Sequence, residues 1–289
     1  LRVLICDGDN KGYSFVHATQ GNSPIIPGLM SMMCKLYRTF RPDLIIVAWE
    51  GHFSFRHKLV DDYKADRGIM QDKDFKAIVK ARNVMRHFGI VQAFAHGFEA
   101  DDVIMTLAER CGWLEDIERV IISTEDKDLY QCLHLPYACV ESQKTKVGKT
   151  CNGIIDGIAF QNYFGFPPEY FHIYQYLVGD KCDNISGIKG IGPKKATNII
   201  KEFVKHDFAP DIDLLVNQGH LPAVESHIPL KDLVRLVDNA PVRLFNGIEE
   251  RVVLRLVKDV DELARMGRIL MDYKQNASRY LDILKTVLE

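Results

Sequence analysis

Four short apolar runs, at residues 3–6, 44–49, 90–94 and 120–123, recur through the first half of the chain with helical patterns between them. Each run is too short for a buried helix and carries β-branched residues, so each reads as a strand. Residues 25–40 carry apolar side chains at 25, 26, 29, 32, 33, 36, 37 and 40, which is helical spacing with a broad buried face. Residues 75–88 and 100–111 also read as helices. Strands alternating with helices predict an α/β fold, with a central, mostly parallel sheet flanked by helices. Ligands bind such sheets at the carboxyl ends of the strands.

The second half differs. Beyond Asp156 strand signals are few. Residues 187–192 form a glycine-rich turn, 193–203 a helix, and 259–271 and 277–288 terminal helices. A division near Asp180 is expected, with an α/β domain over 1–180 and a mainly helical region over 181–289. The 47% hydrophobic and 26% charged content excludes a disordered chain. No apolar stretch approaches the ~18 residues of a membrane helix. Seven cysteines, an odd number without a CxxC pair, argue for a reducing cytosol over a disulfide framework.

Carboxylates follow the predicted strands. Asp7 follows the first, Glu50 the second, and Asp126 and Asp128 the fourth, so three strands deliver acids to one sheet edge. Glu99, Asp101 and Asp102 sit at the start of the helix over 100–111, where the helix dipole favours negative charge. A plain N-cap with an acidic first turn would account for that motif taken alone. Asp180 and Asp183 are three apart after a helix, which presents both to one side. Gathered together, these nine acids would repel by several kcal/mol per pair at an effective dielectric near ~20. Cations must compensate, and oxygen-only donors favour two Mg²⁺ or Mn²⁺ ions over zinc. Two such ions ~4 Å apart suit phosphodiester hydrolysis.

The net charge is −2, from 37 basic and 39 acidic residues, and argues mildly against a nucleic-acid partner. Setting the nine clustered acids aside leaves 37 basic against 30 acidic residues and reverses the sign. Residues 56–86 hold nine Lys or Arg against five Asp. Lys73, Lys76 and Lys80 share one helical face and read as solvated surface. Arg56, Lys64 and Arg67 closely follow Glu50, where a loop could carry them over a phosphate. In Gly187-Ile188-Lys189-Gly190-Ile191-Gly192-Pro193-Lys194-Lys195, a glycine turn precedes a helix start and two lysines. Such a turn lets backbone N–H groups approach a phosphate, which is sequence-independent recognition.

Together these stretches resemble the 5′-nuclease superfamily: flap endonucleases, phage 5′→3′ exonucleases and the 5′-nuclease domain of bacterial DNA polymerase I. The matching segments are Asp7-Gly8, Ser54-Phe55-Arg56-His57, Tyr63-Lys64-Ala65-Asp66-Arg67, and residues 97–103, 124–129, 179–184 and 187–192, in family order over about residues 1–205. The resemblance implies a PIN-like sheet and a helical arch over about 52–90. It also implies a helix–three-turn–helix DNA-binding element at about 183–203. It places Asp7, Glu99, Asp101, Asp102 and Asp126 on the metal-rich centre, and Asp128, Asp180 and Asp183 nearer the second metal. Glu50 stands where the family usually has Asp. Lys64 and Arg67 fall on arch residues that contact the scissile phosphate. Arg56, Tyr63, Gly187, Lys189, Gly190, Gly192, Lys194 and Lys195 fall on DNA-binding positions, with K⁺ commonly held at the turn. Ser14 stands where the family commonly has Arg, and Lys11 could take its place.

The expected activity is structure-selective hydrolysis of DNA near 5′ ends, nicks or flaps, and of RNA in RNA–DNA hybrids. The expected setting is a monomer in the cytoplasm of a bacterial or phage-infected cell, with no membrane partner. A PIN-type ribonuclease shares the acidic sheet edge, and a DNA-binding module with a decayed metal site shares the turn.

Overall fold

The computed structural model describes residues 1–18, 25–51, 54–59, 63–65, 72–88, 90–112, 117–183 and 185–221. Its centre is a six-stranded sheet. In chain order the strands are β1 (Arg2–Asp7), β2 (Leu44–Trp49), β3 (Val91–Phe94), β4 (Arg119–Ser123), β5 (Ala138–Glu141) and β6 (Ile154–Ile155). In space they run β3-β2-β1-β4-β5-β6. The first five are parallel, and β6 is antiparallel to β5.

Both sheet faces are covered, which is why the strands read as unbroken apolar runs. Leu4, Ile45, Val47 and Ile121 pack on one side against helices α2 (Ile25–Phe40) and α3 (Asp72–His87). Val3, Ile5, Ile46, Val120 and Ile122 pack on the other, where α4 (Ala100–Cys111) contributes Val103, Ile104, Leu107 and Ala108. Helix α1 (Gly8–Ala18) starts immediately after β1. Gly8 permits this, because a Cβ there would lie 2.7 Å from the Trp49 ring and 2.8 Å from the Ala48 carbonyl.

The rest of the described chain is α5 (Lys146–Thr150), α6 (Gly157–Phe164), α7 (Phe171–Val178), α8 (Pro193–Lys205) and α9 (Ile212–Asn217). A two-residue hairpin, β7 (Gly179–Asp180) with β8 (Ile185–Ser186), links α7 to the turn before α8. Ala196, Ile200, Phe203, Ile212 and Leu215 belong to the same buried cluster as the sheet. The division expected at 180 therefore does not interrupt the packing among the described residues.

Several elements differ from the sequence reading. Strands β5 and β6 are additions to the expected four: β5 is four residues ending in Glu141, and β6 only two. Helix α3 begins at Asp72, three residues before the apolar pattern does. Of the span expected as an arch, the described parts are a 3₁₀ turn at Phe55–Lys58, residues 63–65 and α3. The helices expected at 259–271 and 277–288 lie outside the described residues, as does Arg67. Among the described residues no helix is long and apolar enough to cross a membrane. All seven cysteines are free.

Candidate metal centre

The strand order reverses between β1 and β4, and the crevice there collects the acids. Asp7 ends β1, and Thr124 follows β4. Thr124 Oγ1 donates to Asp7 Oδ2 at 2.8 Å, and the Asn10 N–H donates to Oδ1 at 3.0 Å. Burial raises the Asp7 pKa; these two bonds oppose the rise, and the nearby Asp126 charge adds to it. The next turn is also locked: Thr124 Oγ1 accepts from Asp126 N–H, and Asp126 Oδ1 accepts from Asp128 N–H, both at 3.0 Å. A 3₁₀ helix, Asp128–His134, then leads away.

Two acidic triads result. Asp101, Asp126 and Asp128 each bring an oxygen within 4.8 Å of the others, and so do Asp128, Asp180 and Asp183. Asp128 belongs to both. Burial, and then the Asp126 charge, raise the pKa of Asp101 and of Asp128 well above the ordinary range. Carboxylates this close repel by about 3 kcal/mol per pair at an effective dielectric near 20. All donors are oxygens, which suits hard divalent cations, so the residues present fit the two ions expected.

Neighbours hold these acids in place. Gln175 Nε2 donates to Asp128 Oδ1 at 2.6 Å, and Gln131 Nε2 donates to Gln175 Oε1 at 3.0 Å. Glu125 accepts from Ser142 Oγ at 2.8 Å and from Lys144 N–H at 3.0 Å, which fixes the loop carrying Asp126. Lys127 Nζ lies 2.9 Å from Asp180 Oδ2. Burial lowers the Lys127 pKa, but the Asp180 carboxylate outweighs it and the net shift is upward.

Other predicted residues stand differently. Arg56, expected on DNA, is buried and donates to Asp102 through Nη1 and Nη2. Asp102, expected on a metal, accepts from Arg56 and from the Glu99 N–H at 3.0 Å, so its side chain closes the capping box of α4, whose N-cap is Glu99. Tyr63, also expected on DNA, is buried with its hydroxyl 3.2 Å from Glu99 Oε2 and 3.4 Å from Asp183 Oδ2. Lys64 Nζ donates to Glu99 Oε2 at 2.8 Å. Burial disfavours the Glu99 charge, yet Lys64 and Arg56 together hold its pKa below the ordinary value. Glu50 is exposed and lies outside both triads, with its N–H on the Asp9 carboxylate.

Lys11, the residue that could take the arginine's place, points to other acids. It is buried, with Nζ 3.6 Å from Glu125 and 3.7 Å from Glu141. Ser14 Oγ accepts from Lys144 Nζ at 3.0 Å. In the glycine turn, Gly187 serves the fold, since a Cβ there would lie 2.3 Å from the Val178 carbonyl carbon. Gly190 and Gly192 face open space, and Lys189, Lys194 and Lys195 are exposed.

Sequence reasoning missed Asp9, Glu125, Glu141 and Gln175. Asp9 sits in the first turn of α1, and burial pushes its pKa up to about 7. Its position two after Asp7 was the available signal. Gln175 had none, because an amide inside an apolar helix looks like any other.

Fold and site together define a mostly parallel α/β domain with two adjoining acidic triads at its switch point. The profile described as "5′-3′ exonuclease, N-terminal resolvase-like domain" matches residues 3–168, and the chain belongs to this family. A 5′-3′ exonuclease of Mycoplasma pneumoniae is 33% identical over 216 residues, covering 70% of this chain and 72% of that protein. The thermostable DNA polymerase I of Thermus thermophilus is 30% identical over 210 residues, 70% of this chain. The match spans only 24% of that polymerase, so the chain corresponds to about a quarter of its length. T5 5′-exonuclease with bound zinc shares the fold, at a TM-score of 0.61 and 21% identity over 99% of this chain and 97% of that one.

Proposed function

We propose that this chain is a divalent-metal-dependent, structure-selective 5′ nuclease that hydrolyses DNA near 5′ ends, nicks or flap junctions. The observation that carries the reading is Asp128, shared by two acidic triads at the switch point of the sheet. Asp101, Asp126 and Asp128 would hold one Mg²⁺ or Mn²⁺, and Asp128, Asp180 and Asp183 the other, with Asp7 beside the first. When bound, such ions supply an activated water and stabilise the leaving oxygen.

The chain's own groups do the rest. Thr124 and Asn10 orient Asp7, and Gln175 orients Asp128. Lys64, over the acids, offers its ammonium to the scissile phosphate. Lys189, Lys194 and Lys195, with the open glycines, grip duplex backbone, where carbonyl oxygens of the turn could take K⁺. The 5′-3′ exonuclease relative supports the reading, as does the metal-bound T5 neighbour. RNA–DNA hybrids as substrates, a monomeric state and a cytoplasmic setting belong to the same proposal, as does the helical arch.

The test is cleavage of a 5′-labelled flap DNA in Mg²⁺ beside single-stranded RNA of equal length. Cuts near the flap junction are expected. Preference for the RNA would point to a PIN-type ribonuclease, and binding without cleavage to a decayed site.

A further inference from the structure

Lys127 lies between Asp126 and Asp128 in sequence, yet its ammonium turns to a third acid. Nζ is 2.9 Å from Asp180 Oδ2, while Asp180 Oδ1 accepts the Cys182 N–H at 2.9 Å. Asp180 is itself buried, with Lys127 on one carboxylate oxygen and the Cys182 N–H on the other. Lys64 and Lys11, also near the acids, pair with carboxylates outside both triads. Lys64 meets Glu99, and Lys11 meets Glu125 and Glu141, with side chains only 13% and 10% exposed. The Lys127 side chain is 46% exposed, so its ammonium has a path to solvent. Solvent reaches the lysine side of this ion pair and screens it, so the ammonium can be exchanged.

We infer that Lys127 is a tethered cation that occupies the second metal position, at Asp128, Asp180 and Asp183, and is displaced when a divalent ion enters. The inference rests on the metal-centre reading above. A divalent ion entering beside Asp180 Oδ2 competes with the ammonium for that carboxylate, and the two positive charges repel at this range. While the lysine is in place it offsets the crowding of Asp128, Asp180 and Asp183. Once displaced, it stands beside the reacting position with its charge free for a phosphodiester oxygen. Second-ion entry and DNA binding are then coupled, each favouring the other.

Mn²⁺ binding to the full chain, followed by electron paramagnetic resonance without DNA, tests this apart from catalysis. Wild type should show a tighter and a weaker class of ion. Lys127→Met should tighten the weaker class by about tenfold or more, because a positive charge beside the site is gone. Lys127→Arg, which keeps the charge, should leave the weaker class weak. A non-cleavable 5′-flap DNA should tighten the weaker class in wild type and do so less in Lys127→Met. Two ion classes in wild type, with the weaker unchanged or weakened in Lys127→Met, would overturn the inference and leave the metal centre standing. Mn²⁺ binding that Asp128→Asn leaves intact would instead overturn the metal centre, and this inference with it.

Discussion

Arg56 grips Asp102 with both ends of its guanidinium, Nη1 2.6 Å from Oδ2 and Nη2 2.9 Å from Oδ1, where the two side chains are 1% and 3% exposed. Glu99 Oε2 adds a second carboxylate 3.6 Å from Nη1. The pair fastens the 3₁₀ turn at Phe55–Lys58 to the first turn of α4, next to the acids but not among them.

Breaking it from one side leaves a buried charge. Arg56→Ala should cost about 3–5 kcal/mol in urea unfolding, and Asp102→Ala about as much. Arg56→Met combined with Asp102→Leu should recover most of that loss, because matched apolar replacement removes both charges. The salt dependence of DNA binding should be unchanged in the double variant. Native stability with a flattened salt dependence would return Arg56 to the DNA.

Much of this arrangement was legible in the sequence, for a physical reason. Strands buried on both faces are apolar throughout, so 44–49 was read with its observed ends, and the acids that follow strands mark the carboxyl edge. The Glu99–Asp102 stretch shows where reading stops. Acids in a helix's first turn can cap the helix or bind an ion, and composition does not separate Asp101 from Asp102. One position around the helix decides it: Asp102 meets Arg56, and Asp101 meets Asp126 and Asp128. Arg56 itself looked like a phosphate contact because partners 46 residues apart carry no local signal. Gln175 was illegible likewise, since its partner Asp128 is 47 residues away.

Asp126→Asn should abolish cleavage in saturating Mg²⁺ while leaving DNA binding in Ca²⁺ intact or tighter. In the proposed centre the residue would serve the ions, and its charge opposes the phosphate. Asp128→Asn should do the same and also weaken both classes of bound ion, since Asp128 belongs to both triads. Near wild-type turnover in Asp126→Asn would remove it from the centre. Loss of one ion class alone in Asp128→Asn would show that the triads do not share it.

Lys194 and Lys195 open α8 and are exposed, on the far side of the glycine turn from the acids in sequence. Lys194→Ala/Lys195→Ala should weaken duplex binding and barely change the single-turnover rate at saturating DNA. Each lost phosphate contact should flatten the plot of log affinity against log salt by about 0.9. An unchanged slope would make this turn a plain bend between α7 and α8.

Lys64 presents the sharpest choice, because its ammonium already has a partner in Glu99 at 2.8 Å. Its backbone sits at φ 56°, a left-handed conformation that a residue with a Cβ adopts at some cost. From there the side chain reaches Glu99 at the start of α4. If the ammonium also meets the scissile phosphate, it stabilises the extra charge of the transition state more than the bound substrate. Removing it then lowers the rate without weakening binding. Lys64→Ala should cut the single-turnover rate at saturating flap DNA by ~10²–10³. Lys64→Arg, which keeps the charge, should recover part of it. Lys76 on α3 is exposed, and Lys76→Ala should cost less than about tenfold, or ~1.4 kcal/mol. Melting curves of all three variants separate a lost ion pair with Glu99 from lost catalysis. If Lys64→Ala is as mild as Lys76→Ala in rate but clearly less stable, Lys64 serves Glu99 alone, and stabilisation of the scissile phosphate falls to the bound ions.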